Sequence, residues 1–351
     1  MPNLEEMIQE WNGLAVISRF DRPTGTWIFI CIHDNSLGPS TGGTRISVYP
    51  SPTDALRDAM RLAEGMTHKW AAVDLGFGGA KAVLAIPRPL EGDERRGLLR
   101  RYGRLIDFLA GSFLTGEDMG ITQDDMVYLA QHTKYLHGVD KAGNKIDPGP
   151  FTARGVFTGL QTAFRRKFGD ASAAGRSVLI QGTGNVGRHL ARMLAEAGAE
   201  VLLQDLDRDR AGRLANEIGA KVVRDEDVYS TPCDVFSPCA VGAILNGDTI
   251  PRLACQIVGG SANNQLAGPE DAERLHERGI LYAPDFILNA GGAISFAHID
   301  RGTTDRDTLF EKVDGIGVTL DQVLAEAEER VETTLAAATR RAKQNLARAD
   351  R

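Results

Sequence analysis

Two lysines stand beside glycines early in the chain, Lys69 in G-M-T-H-K and Lys81 in G-F-G-G-A-K. A lysine set between glycines and the apolar run 82–86 is expected to be partly buried. Burial and a second nearby cation both disfavour the ammonium form, which is how a lysine becomes a base near neutral pH. A second reading stays open on spacing alone: two surface lysines whose stems lie along the protein while their amines reach water. Asp118 in T-G-E-D-M-G, Arg45 in G-G-T-R, and Asn263 and Asn264 in G-G-S-A-N-N-Q are further candidates for polar chemistry. A lone Asp or a pair of Asn more often closes a turn. His68 and Asp74 flank the lysines; no second histidine stands at ligand spacing from His68, so no metal site is expected.

The second constellation is a phosphate cradle. Gly182-Thr183-Gly184-Asn185-Val186-Gly187 matches G-x-G-x-x-G, and Asp205 follows 205 − 182 = 23 residues on. In that pattern Gly182 permits the tight turn, Gly184 lets a pyrophosphate touch the backbone, and Gly187 lets helix and strand pack closely. The helix N-terminus offers free N–H groups to the phosphates. A carboxylate at 205 binds a ribose and repels a 2′-phosphate, which favours NAD; Arg208 and Arg210 close behind keep NADP open. The alternative is a domain of the same shape that binds another nucleotide or none.

These residues need elements to hold them. A strand is expected over 27–33 (WIFICIH), and a helix over 54–66, where Ala55, Ala59, Leu62 and Met66 keep helical spacing. A strand over 82–86 is stopped by Pro87 and Pro89, and an amphipathic helix follows over 97–109. The polar, Gly- and Pro-rich loop 140–150 is the expected domain boundary. Beyond it come a helix over 152–168, a buried strand over 177–181, the glycine turn, a helix over 186–197 ended by Gly198, and a strand over 200–203. Short strands are expected at 235–236, 256–258 and 280–282, with one or two long helices from 320 to 350. Alternating strands and helices mean a parallel, doubly wound sheet. The expected fold is therefore α/β with two domains. A mixed α/β substrate domain spans 1–145, with a C-terminal helix over 321–351 packing back onto it. A Rossmann domain spans 146–320, and the active site lies in the cleft between them.

Composition narrows the function classes. The chain has 351 residues, 42% hydrophobic and 25% charged, which is globular rather than disordered or fibrous. No apolar run reaches the ~18 residues that cross a bilayer, and 1–11 is acidic and polar, unlike a secretory signal. A net charge of −7 gives no general attraction to nucleic acid or anionic lipid, and the basic C-terminal helix reads as a solvated face. Cys31, Cys233, Cys239 and Cys255 form no C-x-x-C pair, as expected of reduced thiols in a cytoplasmic protein.

Taken together, the segments L-G-P-S-T-G-G-T-R, A-L-R-D-A-M-R-L-A-E-G-M-T-H-K, G-F-G-G-A-K, T-G-E-D-M-G, G-P-F-T-A-R-G-V, G-T-G-N-V-G, C-A-V-G-A-I-L-N, G-G-S-A-N-N-Q-L and Y-A-P-D-F-I-L-N-A-G-G resemble the glutamate, leucine, phenylalanine and valine dehydrogenase family. They occur in the family's order from about residue 30 to 296, and the short chain is most similar to the leucine and phenylalanine branch. The resemblance implies that Lys69 holds the substrate α-carboxylate, Lys81 is the catalytic base and Asp118 shuttles protons to and from the amine. It implies that Asn263 bridges the substrate and the nicotinamide ribose, and that Arg45 and Thr152 face the cofactor. Gly182, Thr183, Gly184, Asn185, Val186, Gly187 and Asp205 would hold NAD, with Cys239, Ala240, Ser261 and Ala262 lining its groove through the backbone. The reaction implied is reversible oxidative deamination to a 2-oxo acid and ammonia, by a homo-oligomer.

Two departures from the family pattern stand out: Ala80 replaces a glycine before the lysine, and Gly149 replaces a serine that bonds near the cofactor. The positions that match the family's side-chain pocket are Thr41, Gly42, Met66, Gly116, Ala293 and Phe296. Gly116 and Ala293 enlarge it and Phe296 refills it with an aromatic face, so phenylalanine is the expected substrate, ahead of tryptophan, leucine or valine. Two rivals remain: a dehydrogenase of 2-hydroxy acids, which generally rests on a histidine base, and an inactive NAD-sensing protein.

Overall fold

The computed structural model describes residues 4–140 and 143–349. Residues 141 and 142 of the expected boundary loop, and 350 and 351 of the expected terminal helix, lie outside it. The chain divides into two compact units, residues 1–147 with 342–351, and residues 148–341.

The first unit runs α1 (Leu4–Trp11), β1 (Ala15–Asp21), β2 (Thr26–Asp34), β3 (Ser40–Ser47), α2 (Pro52–Val73), β4 (Gly78–Ala85), α3 (Gly92–Phe108), β5 (Leu114–Glu117) and α4 (Gln123–Leu129). Its sheet has the order β1-β2-β4-β3-β5, with β1, β2 and β4 antiparallel and β4, β3 and β5 parallel. The continuous apolar run of β2 follows from burial on both faces. Ile28, Ile30 and Ile32 pack with Leu98, Leu99, Tyr102 and Ile106 of α3, while Phe29 and Cys31 pack with Ala55, Ala59, Met60 and Ala63 of α2.

Helix α2 starts on Ser51, whose side chain accepts from the Asp54 N–H, and ends on Asp74 in the left-handed region at φ 52°. It continues seven residues past the expected end at 66, so Lys69 and His68 lie inside the helix rather than after it. Packing overrides Gly65: Thr67, Trp70, Ala71 and Ala72 are buried, and Trp70 Nε1 donates to the Thr41 carbonyl at 2.9 Å. β4 likewise begins earlier than expected, at Gly78, which puts Lys81 within a strand opposite Cys31. The glycines allow this, because a Cβ on Gly79 would lie 2.0 Å from Thr67 Oγ1 and one on Gly78 2.1 Å from the Asp34 carbonyl oxygen.

The second unit contains α5 (Gly149–Phe168), β6 (Ser177–Gln181), α6 (Asn185–Glu196), β7 (Glu200–Gln204), α7 (Arg208–Ile218), β8 (Lys221–Val222), β9 (Val235–Pro238), β10 (Ile257–Val258), α8 (Glu270–Glu277), β11 (Leu281–Tyr282), α9 (Asp285–Leu288), α10 (Gly291–Asp300), α11 (Arg306–Arg330) and the first half of α12 (Thr334–Ala349), up to residue 341. Its six-stranded sheet, order β11-β10-β9-β6-β7-β8, is wholly parallel. The chain winds outward from β6 to β8, then returns to β9 and winds the other way. The switch point thus lies at the ends of β6 and β9, where open α/β sheets bind ligands.

The stretch that joins the first unit is shorter than the expected 321–351. Only 342–351 groups there, with Asn345 Nδ2 donating to the Ala71 carbonyl at 2.8 Å. Helix α11 belongs to the second unit because Asp314 and Asp321 pair with Arg154 and Arg166 of α5, at 2.6 and 2.9 Å. No described helix is long and apolar enough to cross a membrane.

Candidate active site

In the first unit, three of the singled-out residues meet on one face of the sheet. The side chain of Lys81 is 7% exposed, and its Nζ lies 3.4 Å from Oδ1 of Asp118, just past β5. The other oxygen of Asp118 accepts from Arg45 Nε at 2.9 Å. Burial pulls the Lys81 pKa below its ordinary value; the Asp118 charge opposes that and Arg45 reinforces it. Burial works against the Asp118 carboxylate, but Lys81 and Arg45 outweigh it and hold the acid ionised. A buried amine biased toward its neutral form beside a fixed carboxylate can accept a proton from water and pass it on. The surface-lysine reading of Lys81 does not hold.

Strand alternation explains why Ala80 is tolerated. Its methyl points to the opposite face from Lys81, into the core with Ile30 and Ile106. Lys69 is half-buried on the last turns of α2. Thr41 and Gly42 are buried on β3, and Met66 is half-buried on α2. A Cβ on Gly42 would stand 1.7 Å from the Ala80 carbonyl oxygen, whereas one on Gly116 would meet nothing within 4 Å. Ala293 and Phe296 belong to α10 of the second unit.

In the second unit, the glycine turn leaves β6 with Gly182 at φ 97°, and a Cβ on Gly187 would lie 1.9 Å from the Gly182 carbonyl oxygen. Around Gly184 a Cβ would meet nothing, and no side chain of the capping residue covers the start of α6. That is the cradle a dinucleotide pyrophosphate requires. Cys239 and Ala240 follow β9 directly beside it: Cys239 N–H donates to the Gln181 carbonyl at 2.8 Å, and a Cβ on Gly182 would lie 2.7 Å from Ala240 Cβ. Ser261, Ala262 and Asn263 follow β10, tied in by Ala262 N–H donating to Pro238 at 2.9 Å.

Asp205 directly follows β7, with both oxygens engaged. Oδ2 accepts from the N–H and hydroxyl of Thr183 at 2.7 and 2.8 Å, and Oδ1 from the Asp207 N–H at 2.9 Å and Arg210 at 2.7 Å. Burial resists the charge, yet these donors bring the carboxyl down to about 2. Asn185 opens α6 and Val186 follows it. Thr152 lies in the first turn of α5, its hydroxyl donating to the Pro148 carbonyl at 3.0 Å. A Cβ on Gly149 would stand 2.6 Å from Asn185 Nδ2, so the glycine that replaces serine makes room for Asn185.

Several partners carried no signal in the sequence. Asp58 on α2 takes Arg45 at 3.0 Å, and Tyr49 donates to it at 2.7 Å. Arg45 is therefore held by two carboxylates of its own unit. Asn289 Nδ2 donates to Asn263 Oδ1 at 2.8 Å, which commits the amide oxygen and leaves its NH2 end for a ligand. Asn264, with φ 52°, is a loop residue whose N–H donates to Asp285, and Asp74 is a helix cap.

Residues 23–135 match the family described as Glu/Leu/Phe/Val dehydrogenase, dimerisation domain, and 143–205 and 202–351 match Glutamate/Leucine/Phenylalanine/Valine dehydrogenase. The chain is 41% identical to a leucine dehydrogenase of Geobacillus stearothermophilus over 93% of this chain and 88% of that one. It is 40% identical to a phenylalanine dehydrogenase of Lysinibacillus sphaericus over 93% and 86%. A crystal structure of L-tryptophan dehydrogenase from Nostoc punctiforme superposes with a TM-score of 0.86 at 37% identity, covering 99% of both chains. With its buried lysine and its dinucleotide-type sheet, the chain belongs to the Glu/Leu/Phe/Val dehydrogenases, amino-acid oxidoreductases acting on a CH–NH2 group.

Proposed function

We propose that the protein catalyses reversible, NAD-dependent oxidative deamination of a large hydrophobic L-amino acid, with phenylalanine first among the candidates. The observation that carries this reading is the Lys81–Asp118 pair, a buried amine with a depressed pKa beside an ionised carboxylate. Lys69 would bind the substrate carboxylate, and Asn263, its oxygen occupied by Asn289, would donate from its NH2 to the same group or to the cofactor ribose. When bound, NAD supplies the acceptor for the hydride that leaves Cα. Neutral Lys81 then takes a proton from water as its oxygen bonds to the iminium carbon. Asp118 carries a proton to the departing nitrogen, and the carbinolamine collapses to ammonia and the 2-oxo acid.

The glycine turn, Thr152, Cys239, Ala240, Ser261 and Ala262 would hold the cofactor. Asp205 would accept from the adenosine ribose, and its charge supports NAD over the 2′-phosphorylated form. Open space at Gly116 supports a large side chain. The relatives include leucine, phenylalanine and tryptophan enzymes and so do not choose among them. A cytoplasmic homo-oligomer is the expected form, the oligomer supported by the dimerisation domain that the family description names.

The test is reduced-cofactor formation at alkaline pH with L-Phe, L-Trp, L-Leu, L-Val, L-Glu and L-lactate, each with NAD and with NADP. Strongest turnover on Phe with NAD supports the full reading. A preference for Leu or Val retains the chemistry and removes the argument from Gly116, Ala293 and Phe296. Silence on every amino acid, with cofactor still bound, moves the sensor reading to first place.

A further inference from the structure

Behind the Lys81–Asp118 pair stands a second row of charge. Arg45 does not belong to Asp118 alone: its NH1 reaches Asp58 Oδ2 at 3.0 Å while its Nε holds Asp118 Oδ2 at 2.9 Å. Asp58 in turn receives the Tyr49 hydroxyl on Oδ2 at 2.7 Å and Arg61 on Oδ1 at 2.8 Å. Arg45, Asp58 and Asp118 are each about one-fifth exposed, whereas Arg61 is 59% exposed and contributes little at that distance from the interior. The row therefore crosses four elements: Tyr49 after β3, Asp58 on α2, Arg45 on β3 and Asp118 after β5, ending at Lys81 on β4.

We infer that Asp58, steadied by Tyr49, is a positioning residue that holds Arg45 on Asp118 and offsets the arginine's charge, thereby setting the pH at which Lys81 serves as a base. A guanidinium has five donors in a rigid plane and turns to face whichever acceptors are present. With Asp58 in place, its plane is pinned between two carboxylates, and Asp118 keeps Oδ1 for Lys81. Without Asp58, Asp118 is the one carboxylate left to orient it, beside the neutral Tyr49 hydroxyl, and more of its positive charge bears on the neighbouring amine. The charged groups facing the cluster are Arg45 from β3, Asp58 and Arg61 from α2, Asp118 and Glu117 from the β5 end, and the Tyr49 phenol. Removing the Asp58 anion thus acts on Lys81 with one sign: the ammonium becomes less stable.

This inference rests on Lys81 being the catalytic base, and its test reads Lys81 directly. The reactivity of the Lys81 amine toward acetic anhydride is followed against pH by peptide mass spectrometry, beside the pH profile of kcat/KM. In Asp58→Asn the labelling midpoint and the acid limb of the profile are expected to move to lower pH by roughly half a unit to one unit. Asp58→Glu restores the charge and should return both toward the parent values. A midpoint that stays put while only the melting temperature falls, or one that moves upward, overturns the inference. If Asp58→Asn does not fold, Tyr49→Phe takes its place: loosening Asp58 should lower kcat severalfold with the labelling midpoint in place, and an unaltered kcat overturns the inference. Labelling needs no substrate, so an enzyme silent on every amino acid still reports on the row of charges.

Discussion

Gly43 on β3 lies beside Lys81 on the paired strand β4, and a Cβ placed on it would come within 3.2 Å of the lysine nitrogen and 2.9 Å of Asp118 Cβ. The base and its carboxylate partner thus meet over a residue that must lack a side chain. Gly43→Ala is expected to push one of them off its place. A displacement of about 1 Å at reacting groups can cost on the order of a hundredfold, so kcat should fall between about tenfold and a hundredfold. Measuring kcat with cofactor affinity separates this from a folding defect, because cofactor affinity should not change.

Lys81→Met should remove turnover, on the order of a thousandfold or more if the amine is the base, while NAD still binds. The stability effect has a definite sign. Burial lowers the folded-state pKa from the ordinary 10.5, so between the two values the unfolded chain binds more protons than the folded one. Folding stability then rises with pH through that window and is lost as pH falls toward the lowered value. Urea midpoints measured from pH 7 to 10.5 should show this rise in the parent chain and a flatter profile in the variant. Equal slopes would mean that Lys81 stays charged.

Asp205→Asn tests the carboxylate that directly follows β7. Its carboxyl, at about 2 against an ordinary 3.8, contributes about 2 kcal/mol above pH 4. That contribution fades as pH falls from 3.8 to 2, so the gap between variant and parent in denaturant midpoint should be widest near pH 7 and narrow below pH 4. NAD affinity should fall and the penalty against NADP should shrink, read as the ratio of their KM values.

Gly116→Ala fills space that nothing in this unit occupies, so the melting temperature should stay within a degree or two. If the substrate side chain uses that space, the preference for Phe over Leu in kcat/KM should drop by about fivefold to 150-fold, the range of about 1–3 kcal/mol for one methylene. An unchanged preference would place the side chain elsewhere.

Elements with strong local pattern were legible in the sequence. The run at β2, the βαβ unit around 177–203 and the step from Gly182 to Asp205 all follow from periodicity and glycine spacing. β3 was not, because S-T-G-G-T-R-I-S reads locally as a polar turn. It forms a strand because β4 and β5 pair with it on both sides, and Gly42 lets it pass under the Ala80 carbonyl. The end of α2 was misplaced for a similar reason, since the bond from Trp70 to Thr41 joins residues 29 apart. Nothing in the local sequence marks Asp58, since its tie to Arg45 joins residues 13 apart across two elements. The candidate chemistry was readable as residue types, but the charge behind it depended on contacts that no local pattern encodes.

Helix α2 carries Asp58 on its first half and Lys69 near its end, within a single rod of 22 residues. At about 1.5 Å per residue that rod is roughly 33 Å long, seated on β2 and β4 through Ala55, Ala59 and Ala63, none of which leaves surface exposed. Small residues at so close a seat leave no play for sliding. The helix therefore behaves as a ruler with two marks on it, one for the carboxylate behind Arg45 and one for the half-buried lysine near its C-terminal end. A larger residue at Ala59 would lift both marks together, and drift at one end would be felt at the other.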